Sequence, residues 1–322
     1  MNFEMLLAQL DELSREPRAV AQLRRFILEL GTRGSLADHD PDAEPASEIL
    51  SRIEAEIARM IANREIRPPK PLAPIPPALR PSRLPSGWEI VRAGSLLTFV
   101  TSGSRGWAEY YSNNGAVFLR IGNLDYGTTD LDLSDVQHVR PPFGTEGART
   151  LVAEGDILIS ITGDTGMVGL VPRDFPEAYI NQHIALARPS KQISSRYLAT
   201  YFSSPTATAQ LHGRQRGLKN SLGLDDIRHV VVALPPLVEQ ERIVDKVSEL
   251  MALCDDLEDA LTQREDARSR LLESVLTAAL SNGDVSNTPT DQASRLDCLP
   301  IRVSQLRAQE RPTLFESVEV HS

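Results

Sequence analysis

The sequence predicts an α+β fold, with one body built on a mixed or antiparallel sheet and carried between long helical, coiled-coil arms. Three observations predict it. Both Trp, all six Tyr and 16 of the 19 Gly lie between Leu84 and Pro235, so aromatic packing and tight turns belong to the middle of the 322-residue chain. Residues 68–85 hold eight of the 22 Pro and mark a boundary. From Ile243 onward, apolar residues recur in the 4-3 alternation of a coiled-coil seam.

The first arm, residues 1–67, reads as two helices. Pro17 suits a first helical position, and Val20, Leu23, Phe26, Ile27 and Leu30 follow at helical spacing until Gly31 and Gly34 stop them. Pro45 opens a second helix with Ile49, Ile53, Ile57 and Met60 on one face, ended by Arg67-Pro68. Residues 68–85 have few backbone donors and favour an extended polyproline spacer; a ligand for a proline-recognising module is the other reading.

In the body, residues 86–236, short β-branched runs alternate with turn residues. Val117–Ile121, Asp156–Thr162, Val168–Val171 and Tyr179–Ala187 read as strands, and one helix is expected from Ser194 to Gln210. Residues 237–282 form the second arm. Its seam runs through Ile243, Val247, Leu250, Cys254, Leu257 and Leu261, then resumes at Leu271 and Val275. Nearly 40 helical residues at 1.5 Å each make a rod of about 55 Å. Residues 283–322 are polar, weakly patterned and expected to be disordered.

Composition excludes several classes. At 41% hydrophobic and 24% charged the chain has enough apolar residues for a core, yet no apolar run approaches the roughly 18 residues of a membrane span. The segment MNFEMLLAQLDELSRE carries acids where a signal peptide needs a basic flank. The two Cys stand too far apart for a disulfide framework or zinc site, and the chain reads as cytoplasmic. A net charge of −10 argues at first against nucleic acid, but residues 84–235 hold 13 Lys and Arg against 14 Asp and Glu. The acid lies in the arms, and the body is near neutral.

No catalytic or metal-binding constellation emerges. Phosphate-cradling, dinucleotide, nucleophile-elbow and zinc-helix motifs are missing. Ile161–Gly169 is glycine-rich after a strand: either a tight hairpin needing positive φ at Gly163 and Gly166, or a loop offering backbone donors to a ligand. Asn181-Gln182-His183 offers amides and an imidazole able to read base edges, or serves as polar turn residues. Cys254 reads as a small buried hydrophobe. His212–Asn220 (HGRQRGLKN) gathers Arg214, Arg216 and Lys219 around Gln215 and Asn220, a pattern suited to phosphate and base contacts or to an ordinary solvated loop.

Ala233–Leu261 resembles the specificity subunits of type I restriction–modification enzymes, through Leu234-Pro235-Pro236-Leu237, Glu239-Gln240 and Arg242-Ile243-Val244. Leu84-Pro85-Ser86-Gly87-Trp88, Phe118–Asn123, Gly155–Ser160, Asn181-Gln182 and the N-terminal stretches Arg25–Leu36 and Glu44–Glu48 are similar to the same family. The resemblance covers roughly residues 20 to 283 and implies a non-catalytic DNA reader. Residues 86–236 would be its target-recognition domain, and the helical arms would space half-sites and dock methyltransferase and restriction subunits. S-adenosylmethionine, ATP and Mg would bind those partners, with no cofactor here.

Full-length members usually carry two recognition domains, and this sequence has one. That implies either a half-size subunit, pairing with a second copy to read two inverted half-sites, or a truncated relic. The rod would then bound their separation at about 16 base pairs of 3.4 Å. Under this reading Arg214, Arg216, Lys219, Arg105 and Arg120 meet phosphate or guanine. Asn123, Gln182, His183, Gln215, Asn220 and the Thr162, Asp164 and Thr165 hairpin approach bases. A coiled-coil scaffold whose body binds protein is the competing expectation, favoured by the −10 charge.

Overall fold

The computed structural model describes residues 19–81, 83–141, 147–216 and 220–281. Pro17, Lys219 and the expected tail from residue 283 lie outside them. The chain divides into two compact units, one ending at Glu265 and one beginning at Asp266.

In chain order, helices α1 (Ala19–Thr32) and α2 (Ala46–Ala62) are followed by strands β1 (Glu89–Arg92), β2 (Leu97–Ser102), β3 (Tyr111–Ser112), β4 (Ala116–Leu119) and β5 (Gln137–Val139). A short helix α3 (Gly147–Thr150) precedes β6 (Ile157–Ser160), β7 (Val168–Leu170), β8 (Ala178–Ile180) and β9 (Ile184–Pro189). Helices α4 (Ser195–Phe202), α5 (Pro205–His212) and α6 (Leu224–Arg228), strand β10 (Val231–Leu234) and helix α7 (Leu237–Ser281) complete it.

The strands make an antiparallel sheet β2-β9-β6-β7, a mixed sheet β3-β5-β4-β8 whose β4 and β8 run parallel, and an antiparallel ribbon β1-β10. Strand alternation explains why Ile157-Leu158-Ile159 is apolar throughout. Ile157 and Ile159 join the core shared with the helices, while Leu158 joins the core shared with the mixed sheet. Strand β9 repeats this, with Ala185 and Ala187 on one face and Ile184 and Leu186 on the other. Trp107, stacked 5.0 Å from Phe118 and tilted against Tyr179 at 5.1 Å, anchors a third cluster.

Two expected elements divide. Tyr179–Ala187 is two strands in different sheets, because Asn181 Oδ1 accepts the His183 amide at 3.0 Å and turns the chain between β8 and β9. The helix expected from Ser194 to Gln210 breaks at Ser204-Pro205. Ser204 Oγ caps α5 by accepting the Ala207 amide at 3.2 Å, and Pro205, lacking an N–H, takes the first turn. Helix α2 stops at Ala62, short of Arg67-Pro68, with Arg64 left-handed at φ 59°.

The N-terminal helices are part of the body. Val20, Ile27, Leu28, Ile49 and Ile53 are buried with Ile243, Val247 and the strands in one core. Gly31 lets α1 approach α7 closely, since an added Cβ would lie 3.1 Å from Val247 Cγ2. Nor does the proline-rich segment stand free as a spacer. Arg92 donates to the carbonyls of Ala73 (3.1 Å) and Pro74 (2.8 Å), and Arg228 donates to that of Lys70 (2.6 Å). A chain short of donors still offers acceptors, and two buried arginines take them.

Candidate nucleic-acid interface

Three segments meet at Thr165, which is 1% exposed in the β6–β7 hairpin. Its carbonyl accepts the Tyr126 hydroxyl at 3.0 Å and lies 3.2 Å from His212 Nε2, and its Oγ1 accepts Gln215 Nε2 at 2.6 Å. The hairpin needs glycine where it turns left-handed, at Gly163 (φ 77°) and Gly166 (φ 90°). Ser160 closes it from within, its Oγ accepting the Met167 amide at 2.8 Å.

The loop after α5 docks on this hairpin. Arg216 and Ser221 exchange two backbone bonds of 3.0 Å, Thr162 and Ser221 form a bridge, and the Leu222 amide donates to Ile161 at 2.9 Å. Asn220 holds its turn at φ 43°. On the other side, the Ile161 amide donates to His183 at 2.9 Å, and Gln182 Nε2 sits 2.9 Å from His183 Nε2. The loop carrying exposed Arg105 presses on the same turn, since a Cβ on Gly103 would fall 2.2 Å from the Asn181 carbonyl.

The fold therefore brings Arg105, Thr162, Asp164, Thr165, Gln182, His183, Arg214, Gln215, Arg216 and Asn220 onto one edge. Arg214 and Arg216 share the buried Asp226 carboxylate, at 3.9 and 3.1 Å, while the Arg216 side chain stays 76% exposed. A guanidinium oriented from behind stands beside amides, an imidazole and the exposed carboxylate of Asp164, a mixture of donors and acceptors of the kind that can pair with base edges.

Two expected contacts, Asn123 and Thr165, need correction. Asn123 is 3% exposed, its Nδ2 donating to the Asp132 and Asp135 carbonyls (2.7 and 3.0 Å) and its Oδ1 accepting the Arg120 amide (2.8 Å). With every group used internally, it cannot read a base. Arg120, by contrast, keeps a partly exposed side chain, paired at the surface with Asp135 at 3.0 Å. Thr165 holds the edge together from inside rather than facing outward. Tyr126, which the residue pattern did not single out, stands 51% exposed on that loop. Burial, with Asp164 and Asp125 nearby, keeps its phenol protonated above the usual range.

A joint ties the entry and exit of the body to the start of α7. Glu239, fully buried at the start of α7, accepts Trp88 Nε1 at 2.7 Å and the Asp40 amide at 3.3 Å, with His39 Nδ1 at 3.1 Å. Gln240 accepts the Ser194 amide at 2.9 Å and donates to the Pro235 carbonyl at 2.9 Å. Along α7, seam residues Ile243, Val247, Leu250 and Cys254 are buried, and Leu257 and Leu261 pack on the same core. Burial holds the Cys254 thiol above its usual pKa. In the second unit Leu271 and Val275 are 64% and 57% exposed.

Among the described residues no cluster of His, Cys, Asp or Glu could hold a metal ion, and no helix is long and apolar enough to cross a membrane.

The family model described as the type I restriction modification DNA specificity domain matches residues 85–264, more than half of the chain. The specificity subunit of the type I restriction enzyme EcoAI from Escherichia coli is 27% identical over 286 residues, covering 87% of this chain and 48% of that protein. The EcoEI specificity subunit from the same organism is 26% identical, with the same two coverages. Among solved structures, the HsdS subunit from Thermoanaerobacter tengcongensis matches with a TM-score of 0.46 at 20% identity, over 86% of this chain and 57% of that one. The chain spans about half the length of the curated relatives it matches. By the matched domain, which takes in both the Thr165 edge and the Trp88–Glu239 joint, this chain belongs to the family of type I restriction–modification DNA specificity domains.

Proposed function

We propose that the chain reads one half-site in duplex DNA as the non-catalytic specificity component of a type I restriction–modification complex. The observation that carries this reading is the convergence at Thr165. Segments far apart in sequence are bonded together so that Arg105, Tyr126, Asp164, Gln182, His183 and Arg216 share one edge. In that reading phosphate contacts set register and the amide, imidazole and carboxylate groups discriminate bases, each good bidentate contact supplying about 1–3 kcal/mol.

The helices would dock methyltransferase and restriction subunits, with S-adenosylmethionine, ATP and Mg on those partners, in the cytoplasm. The exposed Leu271, Leu272, Val275, Leu276 and Leu280 would receive a second copy, presenting two inverted half-sites. The test is to express the chain with its methyltransferase and map methylated bases. A split, inverted motif is the expected result, and methylation without sequence preference would refute the reading. A protein-binding scaffold is the second reading, favoured by the −10 charge and those exposed apolar residues. It predicts partner capture with no gel shift of duplex DNA.

A further inference from the structure

A cleft of about 900 Å³ lies against the reading edge, between the proline-rich segment, α3, β2 and α6. Five cations line it: Arg67, Lys70, Arg149, Arg216 and Arg228. They come from four separate stretches of chain, so no local cluster announces them. Three carboxylates, Glu65, Asp225 and Asp226, share the lining.

The balance favours positive charge. Asp225 serves Lys70 (3.2 Å) and Arg228 (2.9 Å), and Asp226 serves Arg216 (3.1 Å) and Arg214 (3.9 Å), so two carboxylates are divided among four cations. Arg67 and Arg149 are exposed and carry no ion pair among the described residues. Arg92, which grips the same proline-rich segment, has its guanidinium held below the ordinary value first by burial and then by Arg214. A concave surface with surplus positive charge attracts a polyanion even in a chain of net charge −10.

We propose that this cleft seats the phosphodiester backbone beside the half-site, with Arg67 and Arg149 as sequence-independent phosphate contacts. This rests on the DNA reading above and adds to it. Arg216 lies both on the reading loop and in the cleft, so a strand leaving the reading edge would enter the cleft that Arg67 and Arg149 line. The proline-rich segment becomes one wall of a backbone track, held rigid by the Arg92 and Arg228 bonds to its carbonyls.

The experiment measures binding of the full chain, with its methyltransferase, to labelled duplexes with and without the mapped motif over a salt series. Each phosphate contact contributes about 0.9 to the slope of log K against log salt, so Arg67→Gln with Arg149→Gln lowers that slope by roughly two. Affinity falls by the same factor for both duplexes and the methylation motif is unchanged. Arg67→Lys with Arg149→Lys keeps most of the slope, since a point charge serves a phosphate. An unchanged slope, or a loss confined to one sequence, overturns the cleft and leaves the half-site reading standing. If the unaltered chain shows no salt-dependent duplex binding, the half-site reading itself falls, and the cleft with it.

Discussion

Trp88 donates its indole N–H to Glu239 at 2.7 Å, although 151 residues separate them. The lead-in Leu84-Pro85-Ser86-Gly87-Trp88 and the lead-out Pro235-Pro236-Leu237 with Glu239-Gln240 are thus two halves of one joint. A carboxylate with no exposed surface must find donors inside, and Trp88, His39 and the Asp40 amide supply them. Trp88→Phe removes one donor while keeping most of the ring, so stability should fall by about 1–3 kcal/mol. Urea unfolding reads this as a lower midpoint with unchanged slope.

Asp156 and Arg188 form a two-pronged pair, both contacts at 2.7 Å, with Asp156 fully buried and the Arg188 side chain 38% exposed. Asp156 Oδ2 also accepts the Ala153 amide at 2.7 Å. Arg188→Met would strand that carboxylate, at a cost of roughly 3 kcal/mol, the low end for a broken buried pair because water reaches the guanidinium. A loss under 1 kcal/mol in chemical denaturation would show that solvent already shares the charge.

Gly103→Ala should damage the reading edge more than the fold. Its Cβ would fall 2.2 Å from the Asn181 carbonyl, so the loop bearing Arg105 must move away. DNA affinity should drop at least several-fold with a smaller stability change. Gly163→Ala is the comparison: it meets no atom within 4 Å and strains only its φ of 77°, at about 1 kcal/mol.

Thr165→Val keeps the shape of a buried side chain and deletes the acceptor for Gln215 Nε2. Gln215 would lose its tie to the hairpin, and motif selectivity in methylation mapping should relax. Selectivity equal to that of the unaltered chain would place Gln215 outside the reading edge.

Burial pushes the phenols of Tyr179 and Tyr201 up to about 12. In the unfolded chain they titrate near 10, so their neutral forms favour folding fully below pH 10. That contribution is lost as pH rises from about 10 towards 12. The urea midpoint should decline across this window, and Tyr201→Phe should flatten the decline.

The residues showed a good part of the fold. Short β-branched runs bounded by turn residues, such as Ile157–Ser160, and the 4-3 seam from Ile243 were legible because each signal is local in the chain. Asn181 and Pro205 broke expected elements through single-residue turn chemistry inside otherwise regular apolar runs. Of the reading edge, Arg214, Gln215 and Arg216 were visible as a cluster. Tyr126 was not, since its placement depends on a bond to Thr165 in another segment. Asn123 misled because an amide near a strand looks alike whether it faces solvent or, as here, the carbonyls of its own loop. The cleft cations were invisible for the same reason as Tyr126, being neighbours only in space.

The β1–β10 ribbon pairs Glu89 with Leu234 and Arg92 with Val231, so the body leaves the frame where it joined it. What lies between those strands also shares one core with α1, α2 and α7, so the ribbon marks where the chain enters and leaves and is not the sole attachment. Exposed loops inside can therefore be rewritten with little effect on the helices, whereas a change to the buried faces would be felt by them. Surface and frame meet in a common interior, and only the first can change while the second keeps its measure.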